Sequence, residues 1–484
     1  MKTLAILGTS SSAGKSWVAT ALCAWLRGQG VRVAPCKPQN MSNNACATFD
    51  GGEMARSQAV QAEACGLLPT AEMNPILLKP SGGVGAQLVL RGRAQGHQAA
   101  RDYYRDFDRL WRVVADTLDG WRTRCDVLLL EGAGSPVELN LMARDLVNLR
   151  PVRHLDGRWL LVGDIDRGGI YAQLAGTWQL LPPEDRARGL GAIVNKFRGD
   201  LSLFPDPQTW LAPHAPGLPV LGTLPFRADL QPEEEDGLGA ADEDRGSGDT
   251  LAWVRLPHAA NLTDCQPWWG DTGVRVRWTA DAGELAAARA IVLPGTKNTV
   301  ADLHWLHRTG LAEVIVAAAR RGTLVLGVCG GYQMLGESVS DPAGVAGDAG
   351  EVAGLGLLPV VTEFHAEKIV RQVEVECAGR RWSAYEIHMG RTTPTAPCEP
   401  LQTVTDASGP RPEGVRVGNV WGTYLHGWFE APELRQRVAT AAGFTAYHPH
   451  PVPWADQRQT LYKQMAAHLA AHVNLDSVRR YLEL

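Results

Sequence analysis

The stretch Leu4–Leu22, LAILGTSSSAGKSWVATAL, decides how the first half of the chain is read. A short apolar run ends at Gly8, small residues follow, and Gly14, Lys15 and Ser16 open a segment of helix-forming residues. A strand entering a glycine-bounded turn and then a helix gathers backbone N–H groups and the positive end of the helix dipole at one point, which suits phosphate oxygens. Lys15 then neutralises phosphate charge and the Ser16 hydroxyl offers an oxygen to Mg²⁺, so Gly8, Thr9, Gly14, Lys15 and Ser16 form a nucleotide site. The loop is one residue longer than the common G-x-x-x-x-G-K-[ST] spacing, which marks it as a variant. A chance Gly-Lys-Ser turn would lack the flanking strand and helix.

Outward from this loop, short apolar runs alternate with helix-like stretches: VRVAPCKP from Val31, DVLLLEGAG from Asp126, WLLVGDID from Trp159 and GAIVNKF from Gly191. Strands that are apolar on both faces, separated by helices, predict a parallel sheet covered on both sides. Acids at the ends of such strands face the ligand side of the sheet. Glu131 is therefore the first choice for a metal ligand beside Ser16, with Asp164 and Asp166 as further candidates, and each also has the plain reading of a surface acid.

Between Gln231 and Thr250 the composition shifts to QPEEEDGLGAADEDRGSGDT, with eight acids, one Arg and no apolar period. This reads as a solvated linker between domains at 1–230 and 251–484. Beyond it the strand pattern resumes with LAWVRLP, VRVRW, AIVLPG and TLVLGVCGGYQMLG. In the last of these, Cys329 follows an apolar run directly and is flanked by Gly327 and by Gly330–Gly331. Such an elbow holds a thiol above the sheet, where the next backbone N–H and the start of a helix stabilise thiolate and oxyanion. Covalent attack on a carbonyl is its natural use, although a buried cysteine with no role is the ordinary alternative. His426 in GTYLHGWFE supplies a base distant in sequence, and a packed core histidine is the equally simple reading of it alone. Near the C-terminus Leu461, Met465, Leu469 and Val473 form the packing stripe of a terminal helix.

At 484 residues with 45% hydrophobic and 20% charged side chains, the chain can build two α/β cores. Net charge is -5 with no long basic block, which gives no support to a nucleic-acid partner. Nine scattered cysteines without a C-x-x-C pair suggest neither a disulfide framework nor a zinc knuckle. No apolar stretch has the length of a signal peptide or a membrane span, so a soluble protein of the reducing cytoplasm is expected, with no membrane partner.

Taken in order, GTSSSAGKS, KPQNM, GGEMARSQAVQAEA, MNPILLKP, EGAGSPVELNL, GDIDRGG, NKFRGD, LPGTKNT, GVCGGYQMLG, YEIHMGRT and GTYLHGWFE resemble the cobyric acid synthases across nearly the whole chain. KPQNM and YEIHMG separate this branch from its sister, the cobyrinic acid a,c-diamide synthases. The resemblance implies two doubly wound domains with mainly parallel sheets, the first P-loop NTPase-like in the manner of dethiobiotin synthetase, the second like class I glutamine amidotransferases. It implies ATP, Mg²⁺ and glutamine, and adenosylcobyrinic acid a,c-diamide as the corrinoid whose b, d, e and g carboxylates become amides.

Several roles follow from the resemblance alone. Lys37 lines the phosphates, Asn195 reads adenine, Asp50 joins Ser16 and Glu131 at the metal, and Glu53 approaches the metal or the substrate carboxylate. Gly330 and an N–H near Gly295 form the oxyanion hole, and His426 moves the proton for Cys329. Most class I amidotransferases carry a Glu two residues after the histidine, whereas this chain has Trp428 there; Glu386, Glu430 or a backbone carbonyl are left to orient the imidazole. Competing readings are amidation of only the a and c carboxylates, a partitioning-type nucleotide switch, which would need no Cys329, and a scaffold with an inactive thiol domain.

Overall fold

The computed structural model describes residues 1–81, 85–204, 206–233, 244–345, 350–377 and 379–484, which form two compact units. The first comprises Met1–Ser42, Gly52–Glu234 and Arg458–Leu484, and the second Asn43–Gly51 and Glu235–Gln457. The acidic centre of the expected linker, 234–243, lies outside the described residues. The terminal helix, placed with the second domain in the sequence reading, packs in the first unit from Arg458 onward.

The first unit is built on a six-stranded parallel sheet ordered Val220–Pro225, Gly189–Phe197, Arg158–Asp164, Lys2–Gly8, Val127–Glu131, Val33–Cys36. Its central strands are apolar on both faces: Leu4, Ile6 and Leu160 on one face and Leu7, Leu128 and Leu161 on the other are all fully buried. Connections diverge to either side of Lys2–Gly8, and ligand crevices open at such a reversal, outside the carboxyl ends of the strands. The register pairs Ile6 with Glu131, Gly8 with Val162 and Asp164 with Asn195, so the phosphate loop and the strand-end polar residues share one edge. On the terminal helix Tyr462, Met465 and Leu469 are buried, together with Val473 just past its end, and they join Val18, Leu22 and Leu26 in one core. Leu461 is only partly buried, because steps of four overshoot the 3.6-residue turn and the buried stripe drifts around the helix.

In the second unit the main sheet runs Arg245–Gly246, Val274–Thr279, Asp249–Val254, Ala290–Leu293, Leu324–Val328, Val420–Thr423, Val415–Val417. Its five inner strands are parallel and the two edge strands antiparallel. A second sheet is organised around Val360–Cys377, which pairs antiparallel with Arg380–Pro394, the strand carrying YEIHMG. Among the described residues no helix is long and apolar enough to cross a membrane.

Candidate active sites

Parallel strands deliver their following loops to one edge, and in the second unit four such loops converge. Asp249–Val254, Ala290–Leu293, Leu324–Val328 and Val420–Thr423 lie side by side and lead respectively to Asp264, Gly295, Cys329 and His426. Cys329 has φ 52° and ψ -108°, a conformation costly for a residue with a side chain and held here by its surroundings. Its N–H donates to the Thr423 carbonyl at 2.8 Å. The helix Gly330–Leu335 then passes so close to the neighbouring strand that a Cβ at Gly331 would stand 2.0 Å from the Leu293 carbonyl oxygen. Only glycine allows this approach, and it fixes the thiol at the sheet edge.

The imidazole of His426 is fully enclosed between two partners. Its Nδ1–H donates to Asp264 Oδ2 at 2.7 Å, and it shares a side-chain hydrogen bond with Cys329, whose Sγ also lies 3.7 Å from the Ile387 carbonyl oxygen. Asp264 accepts a second hydrogen bond, from Gly427 N–H at 2.9 Å, so it holds both the ring and the backbone beside it. Burial by itself would lower the His426 pKa, but the charges and hydrogen bonds of Asp264 and Cys329 outweigh it and push the imidazole up to about 10. At neutral pH this favours imidazolium, the form that stabilises a thiolate and gives a proton to a leaving amine.

The orienting group is thus Asp264, not Glu386 or Glu430. Glu386 is held at 2.8 Å by each of Arg371 and Arg411. Trp428, in the position of the usual Glu, is buried and donates from Nε1 to Gln402 Oε1 at 2.6 Å, anchoring the loop instead. Asp264 was missed because it lies in NLTDC, after a strand whose place beside the others is a property of the sheet and not of the sequence. The available signal was an acid in a loop leaving the carboxyl end of a buried strand.

Gly295 and Gly330 both border this centre. A Cβ at Gly295 would meet His426 Cε1 at 2.9 Å, and one at Gly330 would meet Thr296 Cγ2 at 2.5 Å. Gly295 therefore lies against the imidazole, and Gly330 against the loop that carries Gly295 and Thr296.

At the first unit's edge, Lys15 Nζ donates to the carbonyls of Ser10 at 2.8 Å and Gly134 at 3.1 Å, while Gly14 immediately precedes the helix Lys15–Gly28. Ser16 Oγ donates to Glu131 Oε1 at 2.7 Å, and Lys37 Nζ donates to the same oxygen at 3.0 Å. Gln61 completes the set by donating to Glu131 Oε2. Burial would raise the Glu131 pKa, yet Lys37 and the hydrogen bonds from Ser16 and Gln61 hold it below the usual carboxylate range. A hydroxyl and an ionised carboxylate in contact beside the phosphate loop are hard oxygen donors of the kind Mg²⁺ takes, so the residues present fit that ion.

Three of the other candidate acids are held in ion pairs. Asp164 pairs with Lys196 at 3.1 Å and Asp166 with Arg198 at 3.1 Å, and Glu53 forms a buried pair with Lys79 at 2.7 Å. Asp50 is exposed and belongs to the second unit. Asn195 Nδ2 donates to the Ala13 carbonyl at 2.9 Å, which braces the phosphate loop, and Thr9 Oγ1 donates to Gln173. Among the described residues no group of three or more His, Cys, Asp or Glu is arranged to hold a metal by itself.

Comparison with known proteins agrees with this division of labour. Residues 4–239 match the CobQ/CobB/MinD/ParA nucleotide binding domain, and residues 250–434 match the CobB/CobQ-like glutamine amidotransferase domain. The chain is 44% identical to the cobyric acid synthase of Roseiflexus castenholzii, over 98% of this chain and 97% of that one. It is 43% identical to the cobyric acid synthase of Nocardia farcinica, with 99% and 96% covered, and 46% identical to that of Chloroflexus aggregans, with 89% of each covered. The ordered motifs led to the same place: the chain belongs to the cobyric acid synthase family.

Proposed function

We propose that this chain is an ATP- and glutamine-dependent ligase of the cytoplasm that amidates the b, d, e and g carboxylates of adenosylcobyrinic acid a,c-diamide on the route to cobalamin. Family membership supports glutamine-hydrolysing ligation in cobalamin biosynthesis, and the observation that carries the nitrogen chemistry is the contact of His426 with Asp264 beside Cys329.

In this reading the Cys329 thiolate attacks the side-chain amide carbon of glutamine, and N–H groups of Gly330 and the Gly295 loop hold the developing oxyanion. His426, kept protonated by Asp264, gives its proton to the departing ammonia. Water, deprotonated by His426, then cleaves the thioester to glutamate and restores the thiolate beside the imidazolium.

Ammonia does not displace hydroxide from a carboxylate, so the corrinoid carboxylate is first converted to an acyl phosphate at the expense of ATP, and ammonia displaces the phosphate. Lys15, Lys37 and the N–H groups around Gly8, Thr9 and Gly14 hold the phosphates, while Asn195 steadies the loop from behind. Ser16 and Glu131 would hold Mg²⁺, which when bound neutralises phosphate charge.

Mass spectrometry of adenosylcobyrinic acid a,c-diamide incubated with the protein, Mg-ATP and glutamine tests this. Stepwise conversion of four carboxyls to amides is expected. No conversion, or conversion confined to the a and c positions of a less amidated precursor, would defeat the assignment.

A further inference from the structure

Asp264 holds His426, but an equally specific arrangement holds Asp264. It sits near the start of the 3₁₀ segment Leu262–Gly270, and the residue before that segment, Asn261, has φ 56° and ψ 46°. A left-handed conformation is uncommon away from glycine, and asparagine adopts it when its amide is satisfied locally. Here the satisfaction comes from far away in sequence. Asn261 N–H donates to Asn44 Oδ1 at 3.0 Å, and Asn261 Oδ1 accepts from Ala45 N–H at 3.3 Å, closing a reciprocal ring in which both asparagines are more than nine-tenths buried. Asp264 N–H in turn donates to the Asn261 carbonyl at 3.2 Å.

The same short segment, Asn43–Gly51, reaches His426 by a second route. Tyr385 donates from its hydroxyl to the Ala45 carbonyl at 3.4 Å. Its backbone exchanges both hydrogen bonds with His426, at 3.1 and 2.9 Å, and its ring lies 5.3 Å from the imidazole. Gln372, paired with Tyr385 across the ribbon, donates to the Ala47 carbonyl at 2.6 Å. All of these contacts lie inside the second unit. The segment therefore touches each of the two supports of the imidazole, Asp264 through Asn261 and the His426 backbone through Tyr385.

We infer that Asn44 is a positioning residue for the glutaminase reaction, acting through Asn261 to set Asp264 and thereby His426. This rests on the reading of Cys329 and His426 as a glutaminase. It makes the nitrogen-releasing centre depend on chain that continues directly from KPQNM, where Lys37 meets Glu131.

Steady-state glutamine hydrolysis, measured beside ATP-dependent turnover with free ammonia, tests the inference. Asn44→Ala is expected to lower kcat for glutamine about ten- to a hundredfold, with KM within about twofold. Ammonia-driven turnover stays at the wild-type level, which also shows that the variant is folded. NMR titration should find the His426 imidazole lowered in the variant, a change that simple loosening elsewhere would not produce. Asn44→Asp keeps an acceptor for Asn261 N–H and should recover most of kcat. Asn261→Gly keeps the left-handed backbone but removes the amide, and should reproduce the Asn44→Ala loss. Wild-type kcat in both Asn44→Ala and Asn261→Gly, or ammonia-driven turnover falling in parallel with glutamine use, overturns the inference. A wild-type protein that releases no glutamate overturns the glutaminase reading instead.

Discussion

His426 and Asp264 are 162 positions apart in the chain and 2.7 Å apart in the structure, with the imidazole Nδ1–H donating to the carboxylate. This contact orients the ring so that its other nitrogen is left for Cys329, and in the proposed glutaminase Asp264 stands in for the usual Glu near the histidine.

Asp264→Asn should retain the shape of the site while losing the charge. The expected outcome is a fall in kcat for glutamine of about 10²- to 10⁴-fold. Amidation from free ammonia should continue, and comparing the two nitrogen donors in one assay checks both statements.

The elevated His426 pKa also makes stability depend on pH in a defined direction. The folded imidazole titrates at about 10, above the ordinary 6.5, so the pair's stabilisation is fully present below about 6.5 and is lost as pH rises through 10. Melting temperature should therefore drop more steeply between pH 7 and 10.5 in the wild type than in Asp264→Asn. Parallel curves would show that the pairing does not act in solution.

Gly295→Ala places a methyl where His426 Cε1 already stands, at 2.9 Å. The ring must shift, and a displacement of that kind costs roughly a hundredfold in rate. Glutamine-dependent turnover should fall by that order with ammonia-dependent turnover preserved.

Cys329→Ala and Lys15→Ala separate the two chemistries. The first should abolish glutamine use and leave ammonia-dependent amidation, whereas the second should remove amidation from either donor. Product formation by the Lys15 variant at the normal rate with ammonia would show that the phosphate loop is misassigned.

Glu131 and Lys37 form a buried ion pair, so Glu131→Gln leaves an uncompensated cation and should destabilise the first unit by about 3–5 kcal/mol. Combining it with Lys37→Met should restore much of the melting temperature but none of the ATP-dependent turnover. Recovery of turnover in the double variant would remove both residues from the nucleotide chemistry.

What the sequence disclosed was local. The turn from Gly8 to Ser16 and the elbow at Cys329 are each a strand, a glycine-bounded turn and a helix in unbroken succession, so periodicity and glycine placement suffice to see them. Glu131 was visible for the same reason, standing where an apolar run stops. Asp264 was not, because its meeting with His426 depends on which strands become neighbours. Asp164 and Asp166 looked like equals of Glu131, and each carries an ion pair, to Lys196 and Arg198, as Glu131 does to Lys37; no spacing rule announces such pairs. Asn195 occupied the expected strand end, yet its amide turns to the Ala13 carbonyl.

Neither compact unit is a continuous piece of chain, because Arg458–Leu484 completes the first and Asn43–Gly51 belongs to the second. Severing the chain within the acidic stretch would therefore not yield two independent enzymes. The N-terminal fragment would open the core that Tyr462, Met465 and Leu469 close, and the C-terminal fragment would leave Asn261 without the backbone and amide it needs. Such halves should be soluble and active only when produced together, so a break in the chain, unlike a substitution at either site, should cost both activities at once.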